Sequence, residues 1–232
     1  MPTIEHQYEG EAFASELIAA ADGPRPTVIL LPTVVGISKL ELGFAQQLAD
    51  AGYNGFCADL YGKQFRGCDR QTGAEQMKRR RADRADLRKR LLAVLDTARA
   101  HSESDGRIAA IGFCFGGLCA LDLARSGADV AGVASFHGLF DPPGLPPQPI
   151  AAKVIAFHGW DDPMVPPPKV VALGTELTRA GCDWQIHAFG HTVHGFTNED
   201  ADKIGNPAVR YSPDATRRSW QMLEGFLEEL FG

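Results

Sequence analysis

Thr27-Val28-Ile29-Leu30-Leu31 is a continuous apolar run. A strand with one wet face alternates apolar and polar residues, so a run without alternation belongs to a strand covered on both faces, as in a parallel sheet between two helix layers. Runs of similar character recur at residues 53–58, 107–111, 130–136, 152–157 and 183–189. Two strands also read at 3–8 and 12–20, with Glu9-Gly10-Glu11 as their hairpin turn. Helices are expected between the later runs. The first, 38–51, has Ser38 as N-cap, Glu41 completing a capping box and Gly52 as its stop. An Arg- and Ala-rich helix covers 73–100 with a break inside it, and Asp105-Gly106 turns the chain into the next strand. Pro166, Pro167 and Pro168 suit the start of a helix running to Ala180. A last amphipathic helix, 213–230, directs Trp220, Leu223, Phe226, Leu227 and Leu230 to the core. Strands alternating with helices imply an α/β fold: a mostly parallel central sheet with right-handed crossovers, helices on both faces, and function at the C-terminal strand ends.

With 232 residues, 44% of them hydrophobic and 22% charged, the composition is that of one globular domain over 1–232, with no linker, repeat or large cap domain. A net charge of −6 argues against nucleic acid as a partner. The basic run Lys78-Arg79-Arg80-Arg81, continued by Arg84, Arg88, Lys89 and Arg90, is interspersed with Asp83 and Asp86 at helical spacing, and it reads as a solvated helix face laced with ion pairs. The N-terminus, Met1 to His6, carries no basic and apolar leader, and no stretch approaches 18 uninterrupted apolar residues. Five cysteines without paired or zinc-like spacing suit reduced thiols in a cytoplasmic protein, monomeric or a small homo-oligomer, with no membrane association.

The chemistry centres on Gly112-Phe113-Cys114-Phe115-Gly116-Gly117, which follows the strand-like Arg107 to Ile111 and precedes the helix-like Leu118 to Ala124. A nucleophile lifted onto a sharp strand-to-helix turn needs small flanking residues, and the helix N-terminus favours a thiolate. Such a cysteine requires a base, and the base requires an orienting carboxylate. His194, after the last strand, is the candidate base, with His191 as its rival. Asp162 is the candidate orienting acid, with Asp161 as its rival. The chain order of nucleophile, acid and histidine is that of α/β-hydrolases.

On these motifs the chain resembles the dienelactone hydrolase family of α/β-hydrolases. The G-x-C-x-G-G elbow, H-G-x-x-D-x-x-V-P over residues 158–166 and H-G-F over 194–196 match its pattern, and the strand order agrees across nearly the whole chain. The resemblance implies the triad Cys114, Asp162 and His194. It also implies attack on a lactone or ester carbonyl, an acyl-enzyme that water hydrolyses, and an oxyanion hole from the backbone N–H groups of Val34 and Phe115. Preorganised donors of this kind contribute about 3–4 kcal/mol each to the transition state. The chemistry calls for neither a metal nor an organic cofactor.

The pattern is broken around the substrate. Dienelactone-active members carry H-E-x-x-G where this chain has Pro32-Thr33-Val34-Val35-Gly36, so Thr33 replaces a glutamate that assists the cysteine. Two arginines that hold the substrate carboxylate correspond by motif to Lys63 and Asn198. Lysine lacks the bidentate fork, and asparagine offers hydrogen bonds alone. Trp160 and Phe196 are expected to help line an apolar pocket. The expected substrate is therefore a neutral or weakly charged lactone or activated ester. The alternatives are dienelactone hydrolysis proper, from carboxymethylenebutenolide to maleylacetate, a non-catalytic ligand-binding module, and a redox-sensing role for Cys114.

Overall fold

A computed structural model describes residues 2–21 and 23–232. Met1, the first residue of the N-terminal stretch read above, and Asp22 lie outside the described residues.

Among the described residues eight strands form one sheet: β1 (Thr3–Tyr8), β2 (Glu11–Ile18), β3 (Arg25–Leu31), β4 (Asn54–Cys57), β5 (Ser104–Phe113), β6 (Gly132–Phe136), β7 (Lys153–Gly159) and β8 (Trp184–Phe189). Their spatial order is β1-β2-β4-β3-β5-β6-β7-β8. The β1–β2 hairpin is antiparallel and β2 adds antiparallel to β4, while every pair from β4 to β8 is parallel. The hairpin turns through Glu9 and Gly10, both at positive φ. β5 begins at Ser104, so Asp105-Gly106 lies inside the strand instead of before it.

The helices are α1 (Lys39–Asp50), α2 (Arg70–Ala82), α3 (Arg84–Ala100), α4 (Phe115–Arg125), α5 (Pro167–Arg179) and α6 (Pro213–Phe231). Ser38 caps α1 with Glu41 closing the box, as its spacing predicts. The Arg-rich helix is two helices separated at Asp83, whose side chain caps the second.

β3 shows why its run has no polar face. Ile29 and Leu31 join the cluster containing Leu87, Leu91, Leu118, Leu173 and Leu177 from α3, α4 and α5, while Val28 and Leu30 join Phe44, Leu48, Leu223 and Leu227 from α1 and α6. The sheet is thus sandwiched, and both sides of β3 are dry. On α6, Leu223, Phe226 and Leu227 are buried, while Trp220 and Leu230 pack at the edge of the same cluster.

The basic run is in part the solvated face expected of it, with Lys78, Arg79, Arg81 and Lys89 exposed and Asp86 paired with Arg90 at i,i+4, but two of its arginines depart from that reading. Arg80 and Arg90 are buried, because α2 and α3 pack their arginines against Asp86 and against Glu11 of β2. Arg84 meets Asp122 of α4 through two contacts of 2.6 Å, and Arg125 grips Glu176 of α5 through two of 2.7 Å. Long-range partners, invisible to helical spacing, take these charges out of water. All five cysteines are free, and no described helix is long and apolar enough to cross a membrane.

Candidate active site

Cys114 sits between β5 and α4 with φ 55° and ψ −111°, a backbone conformation that is costly for any residue with a side chain. The neighbouring glycines make the turn sterically possible. A Cβ on Gly112 would stand 2.0 Å from the Gly116 carbonyl oxygen, and one on Gly116 would stand 1.9 Å from that of Leu31. The Cys114 N–H is held from the next strand by the Phe136 carbonyl and by His137 Nδ1, each at 3.1 Å.

His194 and Asp162 come to the same place from the loops after β8 and β7. Asp162 is 1% exposed and His194 3%, and their Oδ2–Nδ1 distance is 2.7 Å. The other Asp162 oxygen accepts the Met164 N–H at 2.8 Å. The backbone of His194 is pinned on both sides, its N–H to Ala208 and its carbonyl to the Arg210 N–H, each at 3.1 Å. Its Nε2 is buried without a closed hydrogen bond, and the thiol of Cys114 is the group that couples to it.

Electrostatics favours an ion pair. Burial opposes a charge on Cys114, but the facing His194, the Phe115 amide and Arg70 outweigh it and draw the thiol below its ordinary value. Burial likewise opposes a charge on His194, yet the Cys114 sulfur and the Asp162 carboxylate push it up to about 10. Neither rival shares this setting: His191 is fully exposed and stands 3.9 Å from the half-exposed Asp161.

The pair opens into a cleft of about 1230 Å³ lined in part by Thr33, Val34, Arg70, His137, Asn198 and Trp220. The dienelactone hydrolase family model matches residues 14–231. The chain belongs to that family.

Among curated relatives, an uncharacterized protein of Caenorhabditis elegans is 34% identical over 128 residues, covering 54% of this chain and 81% of the relative. The carboxymethylenebutenolidase of Pseudomonas putida is 26% identical over 130 residues, 52% of this chain and 53% of that enzyme; the chain spans about half the length of that relative. Among solved structures, a dienelactone hydrolase-like promiscuous phosphotriesterase from metagenomic libraries superposes with a TM-score of 0.92 at 33% identity, covering 100% of this chain and 98% of the other. The dienelactone hydrolase of Anabaena variabilis, at 16% identity and a TM-score of 0.69 over 100% and 98% of the two chains, shares the fold.

Within this dienelactone hydrolase fold, Cys114, Asp162, His194, Val34, Thr33 and Asn198 converge as their motifs predict, and the buried Phe115 supplies the amide next to the cysteine. Three expected lining residues do not. Lys63 is turned away and pairs with Glu5 on β1, because Asp59 takes the Tyr61 and Gly62 N–H groups and redirects the chain. Trp160 lies 44% exposed on the turn after β7. Phe196 is fully buried beneath the site, edge-on to His137 at 5.1 Å. None of the three lines the cleft.

Two further residues belong to this site, Arg70, which no motif marks, and His137, which the sequence puts at a C-terminal strand end without a role. Arg70, exposed at the start of α2, lines the cleft and acts on the Cys114 thiol. His137 ties the elbow to Thr197, its Nε2 standing 2.8 Å from the hydroxyl. Burial and the neighbouring His194 charge hold His137 well below its ordinary pKa. A neutral ring whose Nδ1 accepts from Cys114 carries its proton on Nε2 and donates it to Thr197. Its position at the end of β6 was the available signal for His137.

Proposed function

We propose that residues 1–232 form a single catalytic domain that hydrolyses lactones or activated carboxylic esters through the Cys114 thiolate. The observation that carries this reading is the buried 2.7 Å Asp162–His194 pair, aimed at a cysteine on a strained elbow in the wall of the cleft. The Cys114 sulfur attacks the carbonyl carbon, and the carbonyl π electrons move to oxygen. The N–H groups of Val34 and Phe115 receive that oxyanion; Val34 N–H donates to no acceptor among the described residues, and Phe115 N–H is directed at the cysteine. As the tetrahedral intermediate collapses, His194 gives its proton to the departing alkoxide and a thioester remains. His194 then takes a proton from water, the resulting hydroxide adds to the thioester, and the acid leaves with regeneration of the thiolate. Asp162 holds the proton on Nδ1, so that Nε2 is the nitrogen that exchanges protons with the reacting atoms.

For the substrate, Asn198 and the apolar cleft wall support a neutral lactone or ester. Arg70 gives weight to the alternative, a carboxylated dienelactone such as carboxymethylenebutenolide, because it offers a cation inside the cleft where Lys63 offers none. Five free thiols fit a reducing compartment such as the cytoplasm. The test is an ester and lactone panel, with and without a substrate carboxylate, run on the wild type and Cys114→Ala. Turnover should vanish in the variant while its circular dichroism is retained, and intact-mass spectra of the wild type should trap an acyl adduct on Cys114. Retained turnover in the variant would exclude the mechanism, and no turnover of any substrate by the wild type would favour the non-catalytic alternative.

A further inference from the structure

The loop between β3 and α1 carries the Val34 amide, and a carboxylate from the first turn of α1 grips it from inside the protein. Glu41 is fully buried. Its Oε2 accepts the Ser38 N–H at 2.9 Å and the Ser38 hydroxyl at 2.6 Å, while its Oε1 accepts the Thr33 N–H at 2.9 Å. The Ser38 contacts belong to the helix cap; the Thr33 contact does not. A capping box works with glutamine as well as glutamate, and burying a carboxylate is costly unless donors compensate. Helix capping alone therefore does not account for a glutamate. What the carboxylate adds over an amide is a second acceptor oxygen, and that oxygen reaches across the loop to the residue before Val34.

Among the described residues the Val34 N–H has no acceptor, while the groups on either side of it are engaged. The Thr33 carbonyl accepts the Gly36 N–H at 3.1 Å, and the Val34 carbonyl accepts the Tyr61 hydroxyl at 3.3 Å. α2 closes on the same peptide so tightly that a Cβ on Gly73 would stand 2.3 Å from the Val34 oxygen. With the Thr33 N–H, the Thr33 carbonyl and the Val34 carbonyl all engaged, the Thr33–Val34 peptide plane is set.

We propose that Glu41 is a positioning residue of the reaction: by holding Thr33 and Ser38 together it fixes the Val34 N–H where the oxyanion forms. This rests on Cys114 being the nucleophile and Val34 an oxyanion donor. The experiment compares two reactions of Cys114. Hydrolysis of a p-nitrophenyl ester builds an oxyanion, whereas alkylation by iodoacetamide at a saturated carbon builds none. In Glu41→Gln, whose amide turns a donor toward Thr33 or Ser38, kcat for the ester should fall by about 10²-fold with KM little changed. The rate and pH profile of Cys114 alkylation should stay as in the wild type. Glu41→Asp, too short to span Thr33 and Ser38 together, should separate the two reactions in the same direction. An unchanged ester rate, or ester and alkylation rates that fall together, overturns the proposal. Failure of both variants to fold also overturns it, since the carboxylate would then be structural. If alkylation of wild-type Cys114 leaves ester turnover intact, the assignment of the nucleophile has failed instead.

Discussion

Replacing Asp162 by asparagine should disable His194 by a route that the hydrogen bonds define. Asp162 accepts on both oxygens, from His194 Nδ1 at 2.7 Å and from the Met164 N–H at 2.8 Å. An amide has one acceptor. If its oxygen stays on Met164, its NH₂ faces Nδ1 and the ring must move its proton to Nε2, so that no lone pair faces Cys114. If the amide flips, two donors meet at Met164 in a buried site. The wrong-tautomer arrangement costs roughly 10⁴-fold in kcat in a serine triad. A thiol is more acidic than a hydroxyl and needs less help, which sets about 10²–10⁴-fold as the range for this site.

The same substitution removes a charge. A hydrogen bond to a charged partner is worth about 1.5–3 kcal/mol, equivalent to roughly one to two pH units. His194, held at about 10 in the native protein, then gives up its proton nearer neutrality. Cys114, facing less positive charge, ionises at higher pH. In the wild type, ester turnover should therefore decline only as pH rises through about 10, where the imidazolium that protonates the leaving group is lost. In Asp162→Asn the alkaline limb should move down and the thiolate limb seen by iodoacetamide should move up, narrowing the active range from both sides. Profiles of kcat/KM and of alkylation from about pH 5 to about pH 11 measure both limbs. A variant with nearly native kcat and an alkaline limb still at about 10 would refute the role assigned to Asp162.

Two further outcomes follow from the charges around the site. Asp122→Ala strands Arg84, whose side chain is 9% exposed, and removes one partner of Arg125, which keeps Glu176; it should destabilise the fold by about 3 kcal/mol, and a calorimetric Tm that falls by less than a few degrees would show the network to be dispensable. Arg70→Ala should lower kcat/KM for an ester bearing a carboxylate by up to about fivefold, the worth of an exposed ion pair, and change a neutral ester of equal reactivity less; equal losses on the two esters would remove Arg70 from substrate recognition.

The parts of this molecule that could be read from its sequence are those whose causes are local. The run at 27–31 specified a strand with two dry faces, Ser38 and Glu41 marked the start of α1, and the glycines around Cys114 marked a turn that nothing larger permits. The meeting of Cys114, Asp162 and His194 was legible because each follows its own strand in hydrolase order. Misplacements arose where a distant partner decides the outcome. Helical spacing paired Arg80 and Arg90 with their own helices and could not see that the β1–β2 hairpin would bring Glu11 to them. Motif position put Lys63 in the substrate site, but the Asp59 carboxylate turns the backbone at Tyr61 and Gly62 and sends Lys63 to Glu5. Aromatic character did not distinguish Trp220, which lines the cleft, from Phe196, which lies beneath it.

The loop after β3 joins these strands of argument. Thr33 cannot take a proton from Cys114 at neutral pH, so the cysteine depends on His194, and the electrostatics of the pair supply what that requires: a thiol drawn below its ordinary value facing an imidazole raised to about 10. On the proposed mechanism, a thiol whose ionisation His194 already favours gains little from another base. What remains to be stabilised is the charge that appears on the substrate oxygen during attack, and a preorganised amide stabilises it most when nothing moves at that moment. A buried carboxylate at residue 41, holding the backbone on both sides of the loop, serves that need without touching the sulfur. Carboxylate function in this loop is therefore expected to be visible in kcat for oxyanion-forming substrates and silent in the acidity of Cys114. A carboxylate acting as the base of the cysteine would give the opposite pattern.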